Sequence, residues 1–278
     1  MDDRREDLTS RVLPTITLDA GTLPALQPPN IYHPRADPNP TVELFRVHGV
    51  AIIAGRAGDL ATTVIQALAE HGVSTFAIFD VVRPEDVKVD VTNANAVKTS
   101  VYDVSEGLGI ISLLVNFVEV VCCEHAMEHS LDSWRRTTDV YTTGSFIIAQ
   151  AAAQEMAENK WGGSIILVAS ISGSRVNFPQ TQAAYNASKA AVIMMKNYLA
   201  VEWPQHGIRV NNISPGYMNT ILNEIKGLEK ARKAWVSRNP MGRIGEREEL
   251  CGAMVLPASR AGSYITGADI VVDGGQSL

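Results

Sequence analysis

From Val50 onward, short apolar runs alternate with longer amphipathic stretches, and this alternation strongly limits the folds open to the chain. The runs that read as buried strands are Val50–Ala54, Thr75–Phe79, Val87–Val89, Ile111–Val115, Ser164–Ala169, Arg209–Ile213 and Asp269–Val272. The stretches that read as helices are Leu60–His71, Asn95–Glu106, Leu131–Asn159 and Thr181–Gln205. Strands that alternate with helices form a parallel sheet with right-handed crossovers. The sequence therefore predicts an α/β fold with a single doubly wound parallel sheet and helices on both faces.

One connection in this Rossmann-like sheet is unusually short, because only residues 81–86 separate the second and third predicted strands. Neighbouring parallel strands usually need a crossover of about a dozen residues or more, whereas six extended residues reach only about 20 Å. We therefore expect the crossover helix at this edge to be missing. Ligands of such sheets bind outside the carboxyl ends of the strands. The segments at those ends are residues 54–61, 80–83, 90–93, 116–119, 169–175 and 214–222.

The N-terminal region differs from the rest of the chain. Residues 1–47 contain seven prolines and no sustained periodicity, which predicts an extended Pro-rich arm on the protein surface or on a neighbouring subunit. No composition break divides the remainder. We therefore predict two parts, an arm over residues 1–47 and one domain over residues 48–278.

Charge and cysteine content exclude several classes of function. The net charge of −6 argues against nucleic acid or an anionic membrane as the main partner. The three cysteines, two of them adjacent at Cys122 and Cys123 and the third at Cys251, have neither disulfide nor metal-ligand spacing, so no metal is expected. The longest apolar stretch, Gly109 to Cys123, is too short to span a bilayer. Because the N-terminus lacks the apolar segment of a signal peptide, we expect a cytoplasmic protein.

The strongest chemical signal is a tyrosine and a lysine four residues apart, Tyr185 and Lys189, at the start of a predicted helix. This spacing places both side chains on one helix face, one turn apart. A nearby ammonium stabilises a phenolate and lowers the phenol pKa, so such a pair can exchange a proton with a substrate oxygen. Ser170 follows a predicted strand and could hold the same oxygen. These three residues predict acid–base catalysis on a carbonyl or hydroxyl group.

Together these residues resemble the short-chain dehydrogenase/reductase family, and within it the branch of the fungal mannitol dehydrogenases and sorbose reductases. The resemblance covers residues 45–278. Beyond the Tyr185-Asn186-Ala187-Ser188-Lys189 motif, it rests on Asn177-Phe178-Pro179-Gln180, Gly207-Ile208-Arg209-Val210-Asn211, Ser214-Pro215-Gly216-Tyr217 and Val272-Asp273-Gly274-Gly275.

The resemblance implies roles for individual residues. Ser170, Tyr185 and Lys189 would be catalytic, and Thr220 would hold the carboxamide of a nicotinamide. The segment after Pro215 would be the mobile substrate loop, whose candidate pocket residues are Tyr217, Met218, Ile221 and Leu222. The family also implies a homodimer or homotetramer, with the segment from Tyr264 to Leu278 at the interface.

The glycine motif after the first strand departs from the family pattern Thr-Gly-x-x-x-Gly-x-Gly. Here the segment reads Ala54-Gly55-Arg56-Ala57-Gly58-Asp59-Leu60-Ala61, so that Asp59 and Ala61 replace the second and third glycines. The second glycine normally lets the backbone approach the pyrophosphate, and the third lets helix and strand pack closely. A carboxylate at position 59 puts negative charge where a helix N-terminus should bind the anion. Gly55, Asp80, Asp90 and Thr220 remain to hold a nicotinamide dinucleotide, if one binds.

Two further departures lie beside the same site. The family's Asn-Asn-Ala-Gly is replaced by Asn116-Phe117-Val118-Glu119, and the catalytic asparagine of the next helix is replaced by Tyr141. Glu119 and Tyr141 thereby become candidate substrate-binding residues, and Asp59 and Glu119 become candidate acid–base groups. Both changes add bulk or negative charge beside the cofactor position.

These departures lead to three hypotheses about function. The main one is a redox-neutral enzyme of specialised metabolism without a nicotinamide cofactor, which uses the serine, tyrosine and lysine for an isomerisation, dehydration or cyclisation of a fairly apolar small molecule. The alternative is a carbonyl reductase or alcohol dehydrogenase that uses NAD or NADP. The third is a catalytically silent partner subunit.

Overall fold

A seven-stranded parallel sheet forms the centre of the molecule. The computed structural model describes residues 40–56, 58–82, 86–223 and 227–278. The strand order is β3-β2-β1-β4-β5-β6-β7, and every neighbouring pair is parallel. The strands are β1 (Val50–Ala54), β2 (Thr75–Asp80), β3 (Val87–Lys88), β4 (Ile111–Asn116), β5 (Gly163–Val168), β6 (Ile208–Pro215) and β7 (Asp269–Val272). The predicted doubly wound fold and its seven strands are confirmed.

The helices of the described residues follow the predicted alternation, with three additions. They are α1 (Pro40–Leu44), α2 (Asp59–Glu70), α3 (Ala94–Leu108), α4 (Leu131–Thr138), α5 (Gly144–Glu158), α6 (Ala183–Glu202), α7 (Glu229–Arg238) and α8 (Cys251–Ala258). A π-helical turn, Asp139–Thr143, joins α4 to α5 inside the stretch predicted as one helix. Short 3₁₀ turns lie at Ile171–Gly173, Trp203–His206, Ile221–Asn223, Arg247–Leu250 and Arg260–Gly262. The sequence did not predict α1, α7 or α8.

Apolar residues on both faces explain why the strands read as continuous apolar runs. Every residue of β1 is buried. Ile52 packs in a cluster on the face covered by α3, α5 and α6, whereas its neighbour Ile53 packs in the cluster that α2 and α8 cover. A parallel sheet covered on both faces places successive side chains in opposite cores. None of the described helices is long and apolar enough to cross a membrane.

The β2–β3 edge has the short connection that the sequence predicts. Phe79 pairs with Val87 and Asp80 with Lys88, and the described connecting residues 81, 82 and 86 form bends. None of the described residues between β2 and β3 is helical.

The predicted N-terminal arm falls largely on residues 1–39, which lie outside the described residues. Its last part contains α1, and the Val47 N–H donates to the His71 carbonyl at 2.8 Å. The boundary at residue 48 stays a prediction.

Candidate active site

A cleft opens at the carboxyl ends of β1 to β4, where the strand order reverses direction between β1 and β4. It encloses about 530 Å³, within the range of small-molecule sites. Its lining residues come from the glycine turn, the ends of β2, β3 and β4, and the helix surface of α4, and include Gly55, Gly58, Asp80, Asp90, Glu119 and Arg136. In open α/β sheets a ligand binds at this reversal point.

Gly55 allows the β1–α2 turn to approach the β4 backbone. It has a φ of +83°, and a side chain there would place Cβ 2.6 Å from the Val118 nitrogen. The Gly55 N–H donates to the Phe79 carbonyl at 2.8 Å. Gly58 precedes α2, and a Cβ on it would lie 3.3 Å from Glu119 Oε1. This turn therefore keeps the bare backbone that close approach of a ligand requires.

Asp59, the first residue of α2, points its carboxylate at the loop after β6. Its Oδ2 accepts the Ile221 N–H at 2.8 Å and lies 3.7 Å from an Arg247 guanidinium nitrogen. Thr220, the expected carboxamide partner, directly precedes Ile221 and is half-buried. Asp59 thus connects the glycine turn with the predicted substrate loop.

Two aspartates mark the other end of the cleft. Asp80, buried at the end of β2, accepts the N–H groups of Val81 and Val82 at 2.7 and 2.9 Å. Asp90 is exposed, and its Oδ1 accepts from the Thr92 N–H and hydroxyl at 2.9 and 2.7 Å. Both carboxylates line the cleft, and both are among the residues predicted to hold a dinucleotide.

Ser170 and Tyr185 meet where β5 ends and α6 begins. Ser170 is buried two residues beyond the end of β5, and its Oγ accepts the Ser172 N–H at 3.1 Å. Burial raises the pKa of Tyr185 to about 12, although a hydrogen bond between the two hydroxyls partly opposes this. Tyr185 is therefore a protonated phenol at neutral pH.

Lys189 lies one turn further along α6 and is 5% exposed. Its Nζ donates to the Val168 carbonyl at 2.7 Å and lies 5.7 Å from the centre of the Tyr185 ring. Burial lowers the pKa of Lys189 to about 8, and the Glu119 carboxylate acts in the opposite direction. The structure thus brings Ser170, Tyr185 and Lys189 together.

Tyr141 completes this cluster from the π-helical turn. Its hydroxyl donates to the Val120 carbonyl at 2.7 Å and accepts the Val120 N–H at 3.0 Å. Its ring contacts Tyr185 edge to face, with the ring centres 5.2 Å apart, and lies 4.6 Å from Lys189 Nζ. Burial raises the pKa of Tyr141 far above its usual range. Because its hydroxyl is already paired in both directions, Tyr141 is a packing partner of Tyr185 rather than a second proton donor.

Glu119 lies between the glycine turn and the lysine. Its side chain is accessible to water within the cleft. Partial desolvation nevertheless raises its pKa, and Lys189 opposes the shift. Glu119 and Lys189 therefore influence each other's protonation across the cleft.

The predicted pocket residues of the loop after β6 separate into different environments. The Tyr217 ring stacks on Trp235 of α7, with the ring centres 4.1 Å apart and the planes at 9°. Met218 is 2% exposed in the core and borders a second cavity of about 410 Å³ behind the loop. Ile221 is exposed. The side chain of Leu222 lies outside the described part of the chain.

A hydrogen-bond chain behind Ser170 was not found from the sequence. The Ser170 hydroxyl donates to Ser172 at 3.0 Å, Ser172 donates to the Asn177 amide oxygen, and the Asn177 amide nitrogen donates to Gln182. Asn177 belongs to the Asn177-Phe178-Pro179-Gln180 motif noted in the sequence, but no spacing rule predicts its hydrogen-bond connection to Ser170. Through these hydrogen bonds the Ser170 hydroxyl is connected to Gln182, the residue before α6.

Comparisons with known proteins agree with this geometry. A family model described as enoyl-(acyl carrier protein) reductase matches residues 40–277. The sorbose reductase of Candida albicans is 34% identical over 273 residues, covering 91% of this chain and 96% of that protein. A probable NADP-dependent mannitol dehydrogenase of Yarrowia lipolytica is 34% identical over 253 residues, covering 84% and 90%. The crystal structure of a gluconate 5-dehydrogenase from Burkholderia cenocepacia, in complex with NADP and tartrate, has a TM-score of 0.78 at 28% identity, covering 85% and 98%.

These relatives correct two expectations from the sequence. The preference for a redox-neutral isomerase, dehydratase or cyclase was wrong, because the relatives are named as reductases and dehydrogenases. The preference for no nicotinamide cofactor was wrong as well, because one relative is named NADP-dependent and a solved neighbour holds NADP. The physical reason is that the Asp59 carboxylate accepts the Ile221 N–H and lies 3.7 Å from Arg247, so that its negative charge is partly compensated. Over residues 40–277, this chain belongs to the short-chain dehydrogenase/reductase family.

Proposed function

We propose that the protein is a nicotinamide-dependent oxidoreductase that interconverts a carbonyl compound and the corresponding alcohol. The observation that carries this proposal is the grouping of Ser170, after β5, with Tyr185 and Lys189 at the start of α6, where Lys189 Nζ lies 5.7 Å from the centre of the Tyr185 ring. A nicotinamide, when bound, supplies the hydride for reduction or accepts it in oxidation.

The protonation states support carbonyl reduction as the easier direction at neutral pH. The Ser170 and Tyr185 hydroxyls would hold the substrate oxygen, and Tyr185, with a pKa of about 12, would donate its proton to it. The Lys189 ammonium would stabilise the tyrosinate that forms. Since the pKa of Lys189 is about 8, this ammonium is charged at neutral pH.

Residues expected at the two ends of a dinucleotide support this proposal. Gly55 leaves the backbone bare where a Cβ would clash, and Thr220 stands at the loop expected to hold the carboxamide. Asp80 has the residue type and position that bind the adenosine ribose hydroxyls of NAD. Because a carboxylate there repels a 2′-phosphate, we infer a preference for NAD(H) over NADP(H). Asp59 remains the unfavourable feature at the diphosphate position.

The substrate is proposed to be a small carbonyl compound with an apolar substituent. Tyr217, which stacks on Trp235, is close enough to Tyr185 to raise its pKa. The Phe178 ring lies under Arg238, 4.9 Å from its guanidinium carbon. This aromatic side of the site favours an apolar group over the hydroxyls of a sugar alcohol.

The proposal is tested first by binding. NADH and NADPH are titrated into the purified full-length chain by fluorescence and calorimetry, and we expect micromolar binding of NADH and weaker binding of NADPH. Turnover is then measured with sorbose, ribulose and a series of aryl and alkyl ketones, and Tyr185→Phe is expected to abolish it while leaving NADH binding intact. Absent or millimolar binding of both nucleotides would refute the proposal.

We also infer a homodimer or homotetramer. Met194, Tyr198 and Val201 are 66%, 58% and 49% exposed, and their spacing of four and three residues places them on one face of α6. An apolar stripe of this kind is typical of a protein–protein interface. The cytoplasmic location stays a prediction.

A further inference from the structure

The loop between β4 and α4, residues 117–130, brings three different metal-binding side chains together. The Cys122 sulfur, a Glu124 carboxylate oxygen and a His129 ring nitrogen all lie within 4.8 Å of one another. We propose that this loop binds one zinc ion through Cys122, Glu124 and His129, with a fourth coordination position open to water or an added ligand. This proposal does not depend on the nicotinamide-dependent activity.

The distances suit zinc. Cys122 Sγ lies 3.8 Å from His129 Nε2. With Zn–S near 2.3 Å and Zn–N near 2.0–2.1 Å, a tetrahedral ion separates the two donor atoms by about 3.6 Å. The ion therefore fits between them after a movement of a few tenths of an ångström, which loop side chains make easily.

The His129 ring lacks good hydrogen-bond partners among the described residues. Its Nδ1 is buried with no partner, and its Nε2 faces only the cysteine sulfur at the long distance of 3.8 Å. A buried polar atom without a hydrogen-bond partner destabilises the folded chain. Coordination of Nε2, the ring nitrogen that faces the sulfur, would replace this long contact with a strong interaction.

Neighbouring residues hold the three ligands in place. The Ser133 hydroxyl donates to Glu124 Oε1 at 2.5 Å and lies 3.9 Å from the Cys122 sulfur. The Trp134 ring meets His129 edge to face, with the ring centres 5.9 Å apart. Outer-shell groups of this kind fix the orientation of metal ligands.

The donor set decides the kind of metal. One thiolate, one imidazole and one carboxylate suit zinc, whereas magnesium and calcium require oxygen donors. Cys122 is buried, but Glu124 and His129 are partly accessible, so that an ion has a path of entry. Cys123, the neighbouring thiol, is exposed and does not belong to this cluster.

The proposed zinc site borders the catalytic site. Glu124 forms a parallel backbone bridge with Gln182. Gln182 accepts from Asn177, which belongs to the hydrogen-bond chain that ends at Ser170. A zinc ion would link the beginning of the β4–α4 loop to its end and so stabilise one wall of the active site.

The test is a metal titration of the full-length chain, freed of any affinity tag and stripped with a chelator. We expect one zinc per chain after gel filtration, and a thiolate-to-metal charge-transfer absorption when cobalt(II) is used instead. Cys122→Ser should remove that absorption. Loss of a residue that only orients a metal ligand weakens zinc binding about 10- to 100-fold. Because Cys122→Ser removes a ligand itself, we expect this variant to bind zinc more than about 100-fold more weakly than the unaltered chain. The zinc affinity of Ser133→Ala should lie between that of Cys122→Ser and that of the unaltered chain.

Matched variants separate ligation from a folding defect. Cys251→Ser alters a thiol in a distant helix and should bind zinc like the unaltered chain, as should Cys123→Ser. His129→Gln should lose the site while keeping the circular dichroism spectrum. Zinc should raise the melting temperature of the unaltered chain but not that of Cys122→Ser. The proposal is overturned if the unaltered chain retains no zinc, or if Cys122→Ser and His129→Gln retain it.

Discussion

Replacement of Asp59 by glycine should tighten NADH binding while it destabilises the fold. Asp59 stands where a bare backbone normally approaches a diphosphate. Its carboxylate accepts the Ile221 N–H at 2.8 Å and lies 3.7 Å from Arg247. Asp59→Gly removes the negative charge from the N-terminus of α2 and frees Arg247 to face the anion.

The two effects have different magnitudes and opposite signs. Two unit charges about 5 Å apart at an effective dielectric constant near 20 repel by about 3 kcal/mol. Because Arg247 offsets part of this repulsion, we expect a gain of about 1–3 kcal/mol, or roughly a 5- to 150-fold lower Kd. The lost hydrogen bond to a charged acceptor costs about 1.5–3 kcal/mol of folding free energy, and each kcal/mol lowers Tm by about 2–4 °C.

The assay is calorimetric titration with NADH, paired with thermal unfolding of the nucleotide-free chain. Asp59→Asn is the matched control, because its amide oxygen can still accept the Ile221 N–H but carries no charge. If charge dominates, Asp59→Asn should give most of the gain in affinity with a smaller loss of Tm. If neither variant binds NADH more tightly, the inferred repulsion at this position is refuted.

Three further predictions concern the catalytic cluster and the surface. The kcat/KM for carbonyl reduction should be constant below pH 8 and fall above it, because Lys189, with its pKa lowered to about 8, then loses its charge. Glu119→Gln should move this break to lower pH, because the Glu119 carboxylate raises the pKa of Lys189. A kcat/KM that stays constant up to pH 10 would contradict the role given to the Lys189 ammonium. Tyr141→Phe loses both bonds to Val120 and should lower stability by about 1–3 kcal/mol, seen in chemical denaturation, while turnover is largely kept; unchanged stability would contradict this. Tyr198→Glu should shift the mass measured by light scattering toward the monomer without altering circular dichroism, and an unchanged mass would exclude the α6 stripe as the interface.

The strands could be predicted from the sequence because a strand that is buried on both faces consists of consecutive apolar residues. All five residues of β1 are apolar and buried, and such runs stand out against their polar surroundings. Helix α7 has no comparable apolar pattern, because it buries only Ala231 and Trp235. The position of α7 depends on the stacking of Trp235 against Tyr217, a contact between distant parts of the chain. The π-helical turn before α5 is likewise invisible to a simple periodicity.

The candidate site was predicted where sequence spacing fixes geometry. Tyr185 and Lys189 share a helix face because they are four residues apart, and the structure places them accordingly. Met218 was assigned to the pocket through its place in the loop, yet it lies in the core at 2% exposure. The direction of a loop side chain depends on what packs around the loop, and no spacing rule contains that information. The cluster of Cys122, Glu124 and His129 was missed for the same reason.

The same dependence on context explains why the altered glycine motif led to the wrong prediction of a redox-neutral enzyme without a nicotinamide cofactor. A carboxylate at a diphosphate position is prohibitive only if its charge has no other partner. Asp59 has two, an N–H of the loop after β6 and the Arg247 guanidinium. The helix N-terminus that would bind the anion can also stabilise Asp59 itself. The substitution is therefore compatible with the nicotinamide-dependent activity proposed above. On the proposed function, the affinity lost at this one phosphate contact would be recovered at the two ends of the dinucleotide.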